Sequence, residues 1–225
     1  MQKWTLLTNN KMDAQNSKKI AMPLLIHNIV VLLHNKRTFL LEIMTNFDKR
    51  KLVELVLYIL NKTNGLDYYH VFKIIYFANI SHLAKYGLRI TTDDFCALPD
   101  GPVPSSLYDS IKKNRFCDKE LGEMINKAII KGNDDAEYFL LASRTANLDY
   151  LSETEIEELD KSIKENATMH YNDLKEKSHG REWNRAFNSS GRKVMDVVGM
   201  ARDAAASEAM IEYITEELEL EEFLA

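Results

Sequence analysis

The stretch DYYHVFKIIYFANISHLAKYG carries Lys73, Tyr76, Asn79 and His82, each three residues after the last. That spacing places them along one stripe of a helix. An amine, a phenol, an amide and an imidazole on one stripe could line a catalytic or small-ligand pocket. Lys73 sits among Phe72, Ile74 and Ile75. Such a lysine must reach water, pair with an acid, or hold its proton more weakly than usual. A second pair, His179 and Trp183, lies one helical turn apart and could hold a ligand between imidazole and indole. Each of these residues also has a structural reading: Tyr76 and His82 as satisfied polar groups of the core, His179 as a helix cap beside a buried indole.

Nothing else in the chain adds a reaction centre. There is no G-x-S-x-G, no Walker-type or G-x-G-x-x-G glycine loop and no H-E-x-x-H. The acidic pairs Glu157-Glu158 and Glu216-Glu217 read as solvated helix faces. Cys96 and Cys117 match neither metal spacing nor a disulfide framework, and the six histidines are scattered. The sequence therefore offers no catalytic, cofactor-binding or metal residue, and its thiols point to a reducing cytoplasm.

The elements that must position the stripe are mostly helical. Leu52, Leu55, Val56, Ile59 and Leu60 recur at helical spacing, with Gly65 expected to close the segment. Asp67 is placed to cap the next helix and Gly87 to end it. That helix is apolar on most sides and so belongs at the centre of the fold. Further helices are predicted at SSLYDSIKKN, with Ser106-x-x-Asp109 as its capping box, and weakly over 117–135 with a turn at GNDD. Others follow at SETEIEELDKSIKENA behind the stronger box Ser152-x-x-Glu155, at YNDLKEKS, at REWNRAF and along the acidic tail SEAMIEYITEELELEEFLA. EYFLLAS (137–143) is the best strand, and the ITTDDF segment is its expected partner. The fold class is mainly α (α+β): a compact helical domain with a small two- or three-stranded antiparallel sheet.

Between ITTDDF and the next helix, FCALPDGPVPSSLY holds three of the four prolines in the chain, Pro99, Pro102 and Pro104, around Gly101. Each fixes its own φ and pushes its predecessor toward extended geometry. The expectation is a stiff, shaped loop that neither continues a helix nor sits inside a sheet.

Residues 1–43 look unlike the rest. Their run MPLLIHNIVVLL is too short to span a bilayer and contains His27 and Asn28, which also argues against a signal peptide. An amphipathic helix and an over-long gene call are the other readings; the expected start is Met44, followed by a polar lead and a clean helix. Residues 1–43 hold six basic residues against two acidic ones, a net of +4, so the remainder carries −9 of the overall −5. An acidic domain is repelled by phosphate backbones, and no basic helix-turn-helix is evident. A nucleic-acid partner is therefore disfavoured, and no membrane partner is expected.

Taken in order, these segments resemble the Panacea domain of SocA-like antitoxins from bacteria and phages. The likeness rests on Lys73 to Ala78, His82 to Gly87 (with Tyr86), Ile90 to Phe95 and Gly101-Pro102-Val103, and downstream on LSETEIEELD and YNDLKEKSHGREW with His179 and Trp183. Lys175 to Lys177 depart from the small or apolar residues usual before Ser178-His179. The resemblance implies an antitoxin domain over 44–190 with a helical appendage at 191–225. It also implies a non-enzymatic protein that neutralises a toxin encoded by an adjacent gene through direct contact, by sequestering it or by handing it to a protease. The G-P-V turn is then a fold-defining corner. Pro99, Asp100, Pro104 and Tyr108 become the candidate toxin-facing residues, with the acidic C-terminal helix as a rival.

Overall fold

The computed structural model describes residues 44–115, 117–132 and 138–224; the expectations for residues 1–43 fall outside them. One compact unit runs over Met44–Glu219. The described part is mostly helical, with antiparallel sheets of three and two strands.

Helix α1 (Asn46–Thr63) opens on a capping box in which Thr45 and Asp48 exchange side-chain and backbone bonds. Its cap comes one residue before the expected glycine. Asn64 takes the left-handed cap at φ 56, and Gly65 follows at φ 100. After strand β1 (Leu66–Asp67), α2 (Tyr68–Tyr86) is bounded as the sequence predicts. The Asp67 carboxylate accepts from the His70 amide at 3.0 Å, and Gly87 supplies the left-handed cap at φ 72. A Cβ on Gly87 would lie 2.4 Å from the Tyr213 ring, so close approach as well as conformation requires glycine there. Both α1 and α2 are buried over most of their length, and together they supply the centre of the core.

The proline-rich stretch is where structure and expectation part. Phe95–Leu98 (β2) and Gly101–Pro104 (β3) form an antiparallel hairpin turned by Pro99-Asp100, with Cys96 opposite Val103 and Leu98 opposite Gly101. Along such a ladder, successive residues turn their backbone groups alternately toward and away from the partner. Pro102 and Pro104 occupy the outward-turned positions, so their missing N–H groups remove no ladder bond. The free edge of β2 is covered as well: the Ala97 amide donates to the Lys193 carbonyl, and the Met195 amide to that of Phe95, both at 2.8 Å.

Helix α3 (Ser105–Lys112) follows without the expected box, for neither Ser106 nor Asp109 caps it. Asp93, twelve or more residues earlier, does so instead. Its two oxygens accept from the Ser106 and Leu107 amides at 2.9 and 3.0 Å. The region 117–135 is likewise only partly helical: α4 (Lys119–Ala128) passes directly into β4 (Ile129–Lys131). The predicted strand forms as β5 (Phe139–Ala142), but it lies between β1 and β4 and does not pair with ITTDDF. Those partners are two and three residues long and grow out of helix ends, so no alternation announces them.

The second half matches the reading closely. Helix α5 (Glu153–Asn166) starts on the Ser152–Glu155 box, and α6 (Tyr171–Ser178) and α7 (Arg181–Phe187) occupy the predicted stretches. Two more helices follow, α8 (Val197–Asp203) and α9 (Glu208–Leu224). Helix α2 is wrapped by α5, the hairpin and α8, as expected of a helix apolar on most sides.

Candidate functional site

The polar stripe of α2 faces backbone. Lys73 is completely buried, and its ammonium donates to the Pro102 carbonyl at 2.8 Å, the one that the register turns away from β2. Six residues on, the buried Asn79 accepts from the Ile90 amide at 2.9 Å. His82 sets Nδ1 against the Leu88 carbonyl at 2.7 Å and Nε2 against the Thr154 hydroxyl at 3.1 Å, with Tyr86 packed on its ring. Three side chains of one helix thus clamp successive parts of the segment 88–102. Tyr76 takes no part in that clamp, and its buried ring packs edge-on against Phe95 and Phe77.

Lys73 is the charged member of this clamp and has no carboxylate in contact. Burial pushes its ammonium down to about 7, opposed by Asp100 and reinforced by Lys175. The Tyr69 ring lies 4.8 Å below it. Gly101, at φ 96, passes so close that a Cβ would sit 2.3 Å from the Ser178 hydroxyl and 3.0 Å from the Lys73 ammonium. The glycine of the G-P-V turn is therefore fixed twice over, by conformation and by contact.

From the other side α7 holds the hairpin. The Trp183 indole donates to the Leu98 carbonyl at 3.0 Å. His179 stacks on the indole at 3.5 Å between centroids and 5° between planes, and Phe187 continues the stack at 4.8 Å. Imidazole and indole touch face to face, so no ligand lies between them. Burial lowers the His179 pKa, and Lys175 and Lys73 lower it further. Its Nε2 and the Tyr69 hydroxyl are buried without a hydrogen-bond partner.

All of this supports an exposed tip. Pro99 and Asp100 stand at the turn, both of them exposed. Lys175 donates to the Asp100 carboxylate at 2.8 Å, and Lys175 and the Tyr171 hydroxyl together hold Asp100 below the usual carboxylate range. Of the other predicted toxin-facing residues, Pro104 is buried and offers no surface, and Tyr108 is half-buried with its ring 6.0 Å from Phe72. Sequence reasoning missed Asp93, Tyr69, Tyr171 and Ser178. Only Tyr69 and Tyr171 carried a local signal, as aromatics beside predicted helix starts.

Among the described residues no group of three His, Cys, Asp or Glu side chains could hold a metal ion, and no helix is long and apolar enough to cross a membrane. A family model described as antitoxin SocA-like, Panacea domain, matches residues 71–184. The chain belongs to that family. The matched part of the Panacea domain starts beside Lys73 and ends just past Trp183, so it spans the clamp, the hairpin and the stacked His179–Trp183 pair. Membership suggests an antitoxin role, and it implies a cognate toxin as partner. No curated protein and no solved structure matches the chain.

Proposed function

We propose that this Panacea protein neutralises a toxin encoded by an adjacent gene through direct protein–protein contact, and that the tip of the β2–β3 hairpin belongs to the contact. Family membership carries the antitoxin reading. The geometry supports binding over catalysis, because the Lys73 ammonium, the Asn79 amide oxygen and the His82 ring bond backbone groups, His82 also the Thr154 hydroxyl. It also supports the tip. Asp100 is exposed at the turn, yet Lys73, Trp183 and Lys175 hold the strands and turn around it, so ordering on association is small. Either outcome for the captured toxin, sequestration or delivery to a protease, begins with such a complex.

The test is expression of the neighbouring gene from a tight inducible promoter, with and without this chain. Growth arrest relieved by co-expression, and co-purification of the two products, is the expected result. Rescue without a complex would refute direct binding, and a harmless neighbour would refute the antitoxin reading itself.

A further inference from the structure

The three-stranded sheet buries one face and bares the other. Ile130 and Leu141, opposite each other across β4 and β5, face outward with Phe139 and the adjacent Tyr138, each between 40% and 56% exposed, whereas Ile129 and Leu140 are buried. Beside this apolar face lies a cavity of about 130 Å³ lined by Tyr68, Ile111, Lys112, Lys113, Lys131 and Tyr138. The Lys112 ammonium bonds the Tyr68 hydroxyl and lies over the Tyr68 and Tyr138 rings at 4.2 and 5.1 Å. Lys113, in the left-handed cap of α3 at φ 53, is exposed, and the Lys131 ammonium reaches the Ile111 carbonyl. Three lysines thus line one small cavity of a chain with net charge −5.

This surface continues the hairpin tip. Tyr69, next to Tyr68, packs on Tyr171 at 4.4 Å, and the Tyr171 hydroxyl bonds Asp100. We infer that the bared sheet face and its lysine cavity are a second part of the toxin contact, an inference that rests on the antitoxin reading. The segment they fit carries a carboxylate side chain among apolar residues. The carboxylate enters between Lys112, Lys113 and Lys131, and its apolar neighbours lie on Ile130, Phe139 and Leu141. Charge complementarity sets the sign of the partner group, and exposed aromatic side chains such as Tyr138 and Phe139 are of the type enriched at interfaces. The overall charge of −5 repels a phosphate backbone, so a protein segment fits better than a nucleic acid.

The experiment measures binding of the purified neighbouring-gene product to the full chain and to two surface variants, Lys112→Glu/Lys113→Glu and Ile130→Asp. Circular dichroism controls for folding. Each variant is expected to weaken binding by about tenfold or more, the lysine pair with a shallower salt dependence than wild type. A carboxylate-to-lysine change on the toxin that restores binding to the lysine variant would identify the group that enters the cavity. Wild-type binding with both variants within about twofold of it overturns the surface and leaves the antitoxin reading standing. No binding by the wild-type chain removes both. Displacement of the toxin by a single-stranded oligonucleotide in physiological salt would overturn the protein assignment of the face.

Discussion

Replacing Lys73 by methionine removes a buried ammonium whose close polar contact is the Pro102 carbonyl. In the folded chain this amine releases its proton at about 7, against an ordinary value of 10.5. At about 1.4 kcal/mol per pKa unit, the difference corresponds to roughly 5 kcal/mol between the two protonation states. The unfolded state binds the proton more tightly, so between pH 7 and 10.5 it carries more protons than the native state. Wild-type stability must therefore rise with pH across that window, and below about pH 7 this contribution is flat at its lowest level. Methionine has a similar length and no charge, so its variant lacks the rise. Against the gain stands the orphaned Pro102 carbonyl, at about 1–3 kcal/mol. The net expectation at about pH 6 is a Lys73→Met protein roughly 2–4 kcal/mol more stable than wild type, with the advantage gone or reversed near about pH 10. Urea denaturation of both proteins at intervals from about pH 6 to 10, each fitted by linear extrapolation, gives the difference directly. The groups that Lys73 perturbs, His179 and Asp100, are both held below their ordinary values and titrate below that window, so the difference curve above about pH 7 reports Lys73. Parallel stability curves across about pH 7–10 would refute the reasoning and require the ammonium to be far better solvated than its burial implies.

Other substitutions test the remaining parts of the site. Gly101→Ala strains a residue at φ 96 and drives a methyl group into Ser178. Thermal melting should fall by about 2–8 °C, as expected for about 1–2 kcal/mol in a domain of this size. Adding Ser178→Ala should recover part of that loss, which a double-mutant cycle would resolve. Asp93→Ala should destabilise by about 1–2 kcal/mol through loss of the α3 cap, measured as a shift in urea midpoint. Asp93→Asn should lose less, because burial already pushes this carboxyl up to about 6 and an amide oxygen still accepts. Asp100→Ala breaks an exposed ion pair and should change stability by under about 1 kcal/mol. If the tip contacts the toxin, the same substitution weakens the complex by severalfold in a titration.

How much of this the sequence announced depends on the range of each signal. Helix α2 was legible from end to end, because Asp67 and Gly87 are local caps that act on their own neighbours. The Ser152–Glu155 box worked for the same reason. The α3 cap failed because Asp93 reaches across the whole hairpin to amides twelve or more residues away. The hairpin itself was hidden by its composition: prolines argue against a strand residue by residue, and only the register reveals that both sit on the outward-turned positions. Lys73 stood out as a lysine among apolar neighbours, but its acceptor is a main-chain carbonyl, which no side-chain pattern encodes. Ser178 and Tyr69 matter through proximity to Gly101 and to the Lys73 ammonium, and proximity of that kind exists only after folding.

The indole that ties α7 to the hairpin has a practical consequence. The chain holds two tryptophans, Trp4 and Trp183. With Trp4 replaced by phenylalanine, every photon of indole emission would come from the ring bonded to Leu98. That ring is nearly dry and pressed against an imidazole. A toxin that docks on the seated hairpin leaves the emission maximum where it was, and one that pries the hairpin away shifts it to the red. A single cuvette titration thus separates rigid capture from remodelling.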